Sequence, residues 1–283
     1  MIILQNNFVK ACINEMGAEL KSLVYNATEY IWEGKPEIWG SSCPLLFPIC
    51  GGLKNDKYRL GGKEYTLKKH GYMRTMPFEV ERADDSYAIF VHHSSAETKQ
   101  NGYPFDYELR VIYTLAETTL KIEYEVANKG AETMYFNIGS HEGYYTPEGI
   151  EDYDVIFPEP QTLNASVLCG NLLTNMTTPI IKDSTVLPLY DKHFTIDALV
   201  FKEIAARSAT LRNRKTGRAV KVDFPDMTYF LLWHKHGAPY ICLEPWNGLP
   251  DLEGSSYNIE EKFGITALEA GKTYRNVHTI TVS

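Results

Sequence analysis

The run Tyr107-Glu-Leu-Arg-Val-Ile-Tyr-Thr-Leu115 places large apolar side chains at every second position. A second run of this kind, Leu120-Lys-Ile-Glu-Tyr-Glu-Val126, follows after the short segment Ala116-Glu-Thr-Thr119. Alternation with a period of two is the pattern of a β-strand that buries one face. Two such runs joined by a short loop predict a hairpin. This stretch therefore indicates antiparallel sheet structure.

The same alternation recurs along the chain in short runs, separated by turn residues such as Gly61-Gly62 and Asn213-Arg-Lys-Thr-Gly217. Nineteen tyrosines and twelve phenylalanines suit the pleated, half-buried surface of a sheet. Further strands are predicted at 65–67, 87–92, 209–211, 219–224, 229–233, 240–243 and 277–282.

Helical periodicity is almost absent. Only 197–206 and 258–263 could form helical turns, and 147–162 is rich in loop-forming residues but too short to separate domains. We predict one domain spanning 1–283 with an all-β fold, a large antiparallel β-sandwich with few short helices.

The composition excludes several classes of protein. The net charge is −8, from 28 basic and 36 acidic residues, which disfavours nucleic-acid and anionic-membrane partners. The five cysteines include no Cys-x-x-Cys pair, so a zinc ribbon or thioredoxin-type site is not supported. Without a signal-peptide pattern or an apolar stretch of about 20 residues, the sequence predicts a cytoplasmic protein with free thiols.

Three segments depart from the scaffold alternation and carry polar groups suited to chemistry. The first is Lys69-His70-Gly71-Tyr72-Met73-Arg74, which follows a predicted strand. Histidine is the side chain best suited to proton transfer near neutral pH. Taken alone, a surface-loop histidine beside lysines is the better interpretation of His70.

The second segment is Phe136-Asn-Ile-Gly-Ser-His-Glu-Gly-Tyr-Tyr145, in which two glycines bracket His141 among aromatic residues. Glycine permits close approach of the backbone to a ligand, and aromatic rings stack on the faces of sugars. The alternative interpretation is a glycine-rich turn with a core histidine.

In the third segment, Ile241-Cys-Leu-Glu-Pro-Trp-Asn-Gly248, an apolar strand leads into Glu244. Burial of a carboxyl group raises its pKa and prepares it for acid–base work. Pro245 is expected to end the strand, and Trp246 offers a flat apolar surface with one polar tip. The alternative for Glu244 is a surface ion pair at the end of the strand.

A metal site is not predicted. His234 and His236 could present two imidazoles on one strand face, as metal sites do. A cupin-type site would need a glutamate three or four residues further on. Glu244 comes later than that, and Gly237 and Pro239 intervene.

Taken together and in order, these segments resemble the aldose 1-epimerases, or galactose mutarotases, and most closely their LacX-type branch. The likeness runs along most of the chain. Besides the three segments, it is carried by Met16-Gly-Ala-Glu-Leu-Lys-Ser22, Tyr30-Ile-Trp-Glu-Gly34, Pro44-Leu-Leu-Phe-Pro-Ile-Cys-Gly51 and Lys54-Asn-Asp-Lys-Tyr58.

The resemblance implies an antiparallel β-sandwich with an open cleft, and neither a metal nor a nucleotide cofactor. It implies that His70, His141 and Glu244 are the catalytic residues. It also implies that Arg74, Asn55 and Asp197 bind the sugar. Trp246 and Tyr144 are expected to supply apolar walls of the cleft.

One position departs from the family. Galactose mutarotases carry an arginine where this sequence has Gly52 in Gly51-Gly-Leu-Lys-Asn55. The change removes a hydrogen-bond donor to the sugar and leaves open whether galactose is the natural substrate. Glucose, another aldose and a phosphorylated sugar stay open as well.

The expected reaction interconverts α and β anomers. Glu244 would remove the proton from the C1 hydroxyl, His141 would protonate the ring oxygen, and His70 would stabilise charge by hydrogen bonding. A hexose-6-phosphate mutarotase, with Lys54, Arg59, Lys69 and Arg74 as phosphate-binding cations, is an alternative.

Two further classes stay in view. A non-catalytic sugar-binding or sensor module would not need the two histidines and the glutamate. A glycoside hydrolase usually needs two carboxylates beside the bond, and only Glu244 is convincing. A monomer and a homodimer are both compatible with the sequence.

Overall fold

The computed structural model describes residues 1–283 and is dominated by one large sheet of fourteen strands. Every strand ladder in the molecule is antiparallel. The predicted all-β fold built on a large antiparallel sheet is therefore confirmed.

The strands are β1 (Ile2–Gln5), β2 (Val9–Asn14), β3 (Glu19–Tyr25), β4 (Thr28–Glu29), β5 (Lys57–Leu60), β6 (Lys63–Thr66), β7 (Glu79–Ala83), β8 (Tyr87–His93), β9 (Tyr107–Ala116), β10 (Thr119–Asn128), β11 (Met134–Phe136), β12 (Ile138–Gly139), β13 (Glu142–Tyr145), β14 (Tyr153–Cys169), β15 (Leu172–Pro188), β16 (Leu199–Phe201), β17 (Ser208–Asn213), β18 (Ala219–Asp223), β19 (Tyr229–Trp233), β20 (Tyr240–Asn247), β21 (Thr266–Leu268) and β22 (Thr273–Val282).

Helical structure is limited to one short α-helix and five 3₁₀ turns. No helix is long and apolar enough to span a membrane. The helix is α1 (Ala96–Gln100), and the 3₁₀ turns are Lys54–Asp56, Met73–Thr75, Ile150–Asp152, Asp191–Phe194 and Ile259–Glu261.

The large sheet runs in the order β12-β20-β19-β16-β14-β17-β18-β22-β10-β9-β8-β7, with β13 paired to β20 and β15 paired to β14. Three smaller sheets are formed by β1 to β4, by β5 and β6, and by β11 and β21. The interrupted edge at β12, β13 and β20 is the part of the sheet that carries the candidate site.

The predicted hairpin is present. β9 and β10 pair in continuous register from Tyr107 opposite Asn128 to Ala116 opposite Thr119. The strand predicted at 229–233 matches β19. These segments follow the prediction because one face of each is buried, so alternation and local structure agree.

Two segments differ from the sequence prediction. The helical prediction at 197–206 is wrong, because β16 lies there, paired with β14 and β19. The loop prediction at 147–162 is wrong from Tyr153 onward, where the long strand β14 begins. Pro158 and Pro160 lie where the pairing of β14 with β15 shifts in register, so the strand accommodates them.

The two faces of β19 and β20 serve different purposes. Phe230 and Leu232 of β19 belong to the main core, whereas Leu231 packs with Trp246 in a smaller cluster on the opposite face. Because side chains alternate across a strand, Glu244 shares the face of Trp246. The candidate site is therefore built on the face of the sheet that turns away from the main core.

Pro245 does not end the strand as expected, since β20 continues to Asn247. The Pro245 carbonyl accepts a hydrogen bond from the Ser140 N–H at 3.1 Å. The N–H and C=O groups of one strand residue face the same edge of the strand. Because proline has no N–H, Pro245 offers no donor toward the break between β12 and β13. His141 lies in that break and leaves the ladder there.

Candidate active site

A cavity of about 420 Å³ opens over this face of the sheet. That volume is within the usual range for small-molecule sites, about 300–1,000 Å³. Six of the seven residues predicted for the site lie on its walls, namely His70, Arg74, His141, Asp197, Glu244 and Trp246.

His70 is held by two backbone hydrogen bonds to one residue. Its Nδ1 accepts from the Gly51 N–H at 3.1 Å, and its own N–H donates to the Gly51 carbonyl at 2.9 Å. Burial lowers the pKa of His70 well below 6.5, so the ring is neutral. Because Nδ1 accepts, Nε2 carries the hydrogen and is a donor.

The turn that presents His70 is conformationally demanding. His70 has a φ of +69° and Gly71 a φ of +67°. A Cβ on Gly71 would lie 2.3 Å from the Phe47 carbonyl oxygen, which no side chain could tolerate without backbone movement. Such strained pairs persist where the surroundings fix them, often at functional sites.

His141 is enclosed by indole rings. Its ring centroid lies 5.1 Å from that of Trp39 and 5.6 Å from that of Trp233. The His70 and His141 rings meet edge to face at 5.5 Å. Burial and the positive charge of Lys69 lower the pKa of His141 to about 3.

Glu244 is 1% exposed and faces His141. Its Oε1 lies 3.5 Å from His141 Nδ1. Burial raises the pKa of Glu244 well above the usual carboxyl value, and Lys69 opposes that shift. The predicted burial of Glu244 is confirmed.

The protonation of the pair follows from these shifts. Both Glu244 and His141 lie in a poorly hydrated site, where the uncharged forms are favoured. Burial therefore favours a neutral His141 imidazole and shifts Glu244 toward its protonated form. A carboxyl and an imidazole in this state can each exchange a proton with a ligand.

Two cationic side chains, Lys69 and Arg74, complete the polar side of the cavity. The Arg74 guanidinium donates to the Lys69 carbonyl at 3.5 Å. Burial lowers the pKa of Arg74, but an arginine stays charged. The cavity therefore presents two positive charges to a ligand, next to a buried acid–base pair.

Two residues expected at the site lie elsewhere. Asn55 is exposed and outside the cavity walls, and its amide donates to the Tyr257 hydroxyl at 2.7 Å. Tyr144 is fully buried in the main core, so it forms no wall of the cleft. The chain leaves the strand ladder at His141. It has rejoined the ladder by Tyr144, which pairs with Ile241.

Trp39, Asn171 and Trp233 are among the cavity-wall residues that were not predicted from the sequence. Trp39 lies in a segment without periodicity, and Asn171 is at the tip of the β14–β15 hairpin. Trp233 could have been predicted from strand alternation. It is two residues from Leu231 and therefore lies on the same face, opposite that of Phe230.

Behind the cavity, Glu142 and His278 form a buried pair. His278 Nε2 lies 2.9 Å from Glu142 Oε1, and neither residue is more than 2% exposed. Glu142 follows His141 directly and points to the opposite side of the sheet. The pair joins the start of β13 to β22.

A model of the aldose 1-epimerase family matches residues 1–281. The chain belongs to the aldose 1-epimerase family. The chromosomal protein LacX of Lactococcus lactis subsp. lactis is 32% identical, over an alignment that covers 99% of each chain.

Solved structures in this family are similar over their full length. A galactose mutarotase related enzyme from Lactobacillus acidophilus is 32% identical, with a TM-score of 0.94 over 99% of this chain and 96% of that one. A galactose mutarotase-like protein from Lactobacillus casei is 31% identical, with a TM-score of 0.93 over 100% of both chains. The predicted family and its LacX-type branch are thus confirmed.

Proposed function

We propose that the chain interconverts the α and β anomers of an aldose in this cavity. The observation that carries the proposal is the buried Glu244 carboxyl facing the His141 imidazole at 3.5 Å on the wall of an open cavity. Membership of the aldose 1-epimerase family supports the same reaction class.

The chemistry needs two proton transfers at two oxygens. Ring opening removes the proton from the C1 hydroxyl, breaks the bond from C1 to the ring oxygen, and leaves a proton on that oxygen. Closure on the other face of C1 reverses both transfers. One group must accept while another donates, so a pair that shares one proton is sufficient.

In the proposed assignment, the Glu244 carboxylate accepts the C1 hydroxyl proton and the His141 imidazolium protonates the ring oxygen. Opening then leaves a neutral carboxyl and a neutral imidazole, which is the form that burial favours in the free protein. Closure then returns the carboxyl proton to the C1 oxygen and the proton on the ring oxygen to His141, so the cycle ends with the carboxylate and imidazolium with which it began.

His70 serves as a fixed hydrogen-bond donor in this scheme. Its neutral ring presents Nε2–H because Gly51 occupies Nδ1. A donor held in place before the reaction stabilises negative charge on a sugar oxygen without reorganisation. Trp39, Trp233 and Trp246 supply flat apolar walls for the face of the sugar.

The test is the relaxation of optical rotation of freshly dissolved α-D-glucose and α-D-galactose. Relaxation faster than in buffer is expected, and Glu244→Gln should lower the rate by about 10²–10⁴-fold while sugar binding persists. Glu260→Gln, at an exposed carboxylate, is the matched control. Full activity of Glu244→Gln would overturn the assignment, and sugar binding without any acceleration would indicate a binding module.

A phosphorylated sugar is a second candidate substrate, because Lys69 and Arg74 both lie on the cavity wall. Cationic side chains hold phosphate by charge-assisted hydrogen bonds. The rotation assay with glucose 6-phosphate tests it. Preference for the phosphorylated sugar that is lost in Lys69→Met, with activity on free glucose retained, would support this substrate class.

A further inference from the structure

We propose that His141, Cys242 and Glu244 form a binding site for a thiophilic divalent cation such as Zn²⁺, and that the bound ion closes the cavity to sugar. The site would be inhibitory, since it takes both members of the acid–base pair as ligands. Its existence does not depend on the proposed function.

The three side chains converge because of strand alternation and the break in the sheet edge. Cys242 and Glu244 are two residues apart on β20 and share one face. His141 enters from the break between β12 and β13. His141 Nδ1, Cys242 Sγ and a Glu244 carboxylate oxygen all lie within 4.8 Å of one another, and all three residues are buried.

These separations are close to those of a zinc site. Tetrahedral zinc with bond lengths of about 2.0–2.3 Å places its ligand atoms roughly 3.3–3.7 Å apart. The 3.5 Å between His141 Nδ1 and Glu244 Oε1 already meets that spacing. A shift of about 1 Å by the Cys242 sulfur would complete the set.

The imidazole nitrogen is available to a metal. His141 Nδ1 is buried and has no hydrogen-bond partner. Only 10% of the His141 side chain is exposed. Buried polar atoms without partners are uncommon in proteins and call for an explanation. A metal ligand is one role that would satisfy this nitrogen.

Charge balance also favours the site. A Cys242 thiolate and a Glu244 carboxylate would together offset the two positive charges of Zn²⁺, with His141 bound as the neutral imidazole. Lys69 on the same cavity then meets no added positive charge. His141 and Glu244 lie on the cavity wall, so water from the cavity could supply a fourth ligand.

The ligand set selects for a soft or borderline ion. Thiolate and imidazole suit zinc, cobalt and copper, whereas magnesium and calcium prefer oxygen ligands. Cobalt is the useful probe, because a Co²⁺–thiolate bond gives a charge-transfer absorption that reports the sulfur directly.

The experiment titrates the reduced protein with Co²⁺ and then displaces it with Zn²⁺, in the absence of sugar. One equivalent of Co²⁺ with a thiolate charge-transfer band is expected. Cys242→Ala should abolish the band and weaken zinc binding at least about tenfold. Cys43→Ala, at another buried thiol, and Cys169→Ala, at the exposed thiol, should keep both properties.

A second variant guards against misfolding of Cys242→Ala. His141→Gln changes a side chain on the cavity wall and should also lose the band. Absence of a thiolate band in the wild-type protein, or its persistence in Cys242→Ala or His141→Gln, would overturn the site. If the protein is a mutarotase, Zn²⁺ should inhibit the wild type and Cys43→Ala at concentrations that leave Cys242→Ala active.

Discussion

Asn171, on the cavity wall, occupies the space that a side chain at position 52 would need. A Cβ added to Gly52 would lie 2.7 Å from the Asn171 Cβ and 3.0 Å from its carbonyl oxygen. Asn171 reaches this point from the tip of the β14–β15 hairpin. The position at which galactose mutarotases carry an arginine is thus closed to a side chain by another element of this fold.

Restoring the family arginine is therefore expected to be harmful alone. Gly52→Arg should lower the free energy of unfolding by about 1–3 kcal/mol, the usual cost of overpacking. Gly52→Arg combined with Asn171→Gly should recover part of this loss, since it removes the nearest atom. Chemical denaturation would measure the stability of both variants, and KM for galactose would measure the effect of the added arginine on this sugar. An unaffected single variant would show that the hairpin tip moves freely.

The turn at His70 should tolerate no side chain at Gly71. Gly71→Ala would bring a methyl group within 2.3 Å of the Phe47 carbonyl oxygen at a φ of +67°. We expect a loss of stability exceeding about 1–3 kcal/mol and a fall in kcat, because His70 would shift. Gly62→Ala is the control, since it also has a positive φ but no atom within 4 Å. Equal costs for the two variants would contradict the steric argument.

Burial of His70 should make stability depend on pH. Its folded pKa is well below 6.5, whereas the unfolded imidazole takes up a proton near pH 6.5. The unfolded state therefore binds more protons as the pH falls below 6.5, and stability decreases by up to about 1.4 kcal/mol per pH unit. The lowered pKa of His141 acts in the same direction and the raised pKa of Glu244 in the opposite one, so a variant is needed to isolate His70.

His70→Gln should reduce that pH dependence. Denaturation curves between about pH 7 and pH 5 would measure it, with the slope of stability against pH shallower by up to one proton. His93→Gln, at an exposed histidine, is the control for loss of a surface imidazole. Identical slopes for wild type and His70→Gln would mean that His70 is protonated in the folded protein.

The Glu142–His278 pair should be costly to break. Glu142→Ala would leave His278 buried without its partner, which typically costs about 3–5 kcal/mol. Glu64→Ala breaks the exposed pair of Lys57 and Glu64 and should cost far less, because exposed ion pairs contribute little to stability. Denaturant midpoints compare the two. Similar losses would show that the buried pair contributes no more than a surface one.

Alternation predicts the parts of the fold in which one face of a strand is buried. β9, β10 and β19 were found because their apolar residues recur at every second position. β14 and β16 were missed for different reasons. β14 contains prolines and register shifts, and the three-residue β16 becomes a strand only because β14 and β19 lie on either side of it.

For the candidate site, the sequence itself supplied the chemical groups: His70, His141 and Glu244 stand out because each interrupts the scaffold pattern in a segment with glycine, proline or aromatic neighbours. It also determined an all-β chain, since alternation is a local property. Only the tertiary structure decided that Glu244 faces His141 at 3.5 Å, that Cys242 lies beside them, and that Asn55 lies apart. Distances between remote segments and the pKa shifts that burial causes depend on packing, which no local pattern specifies.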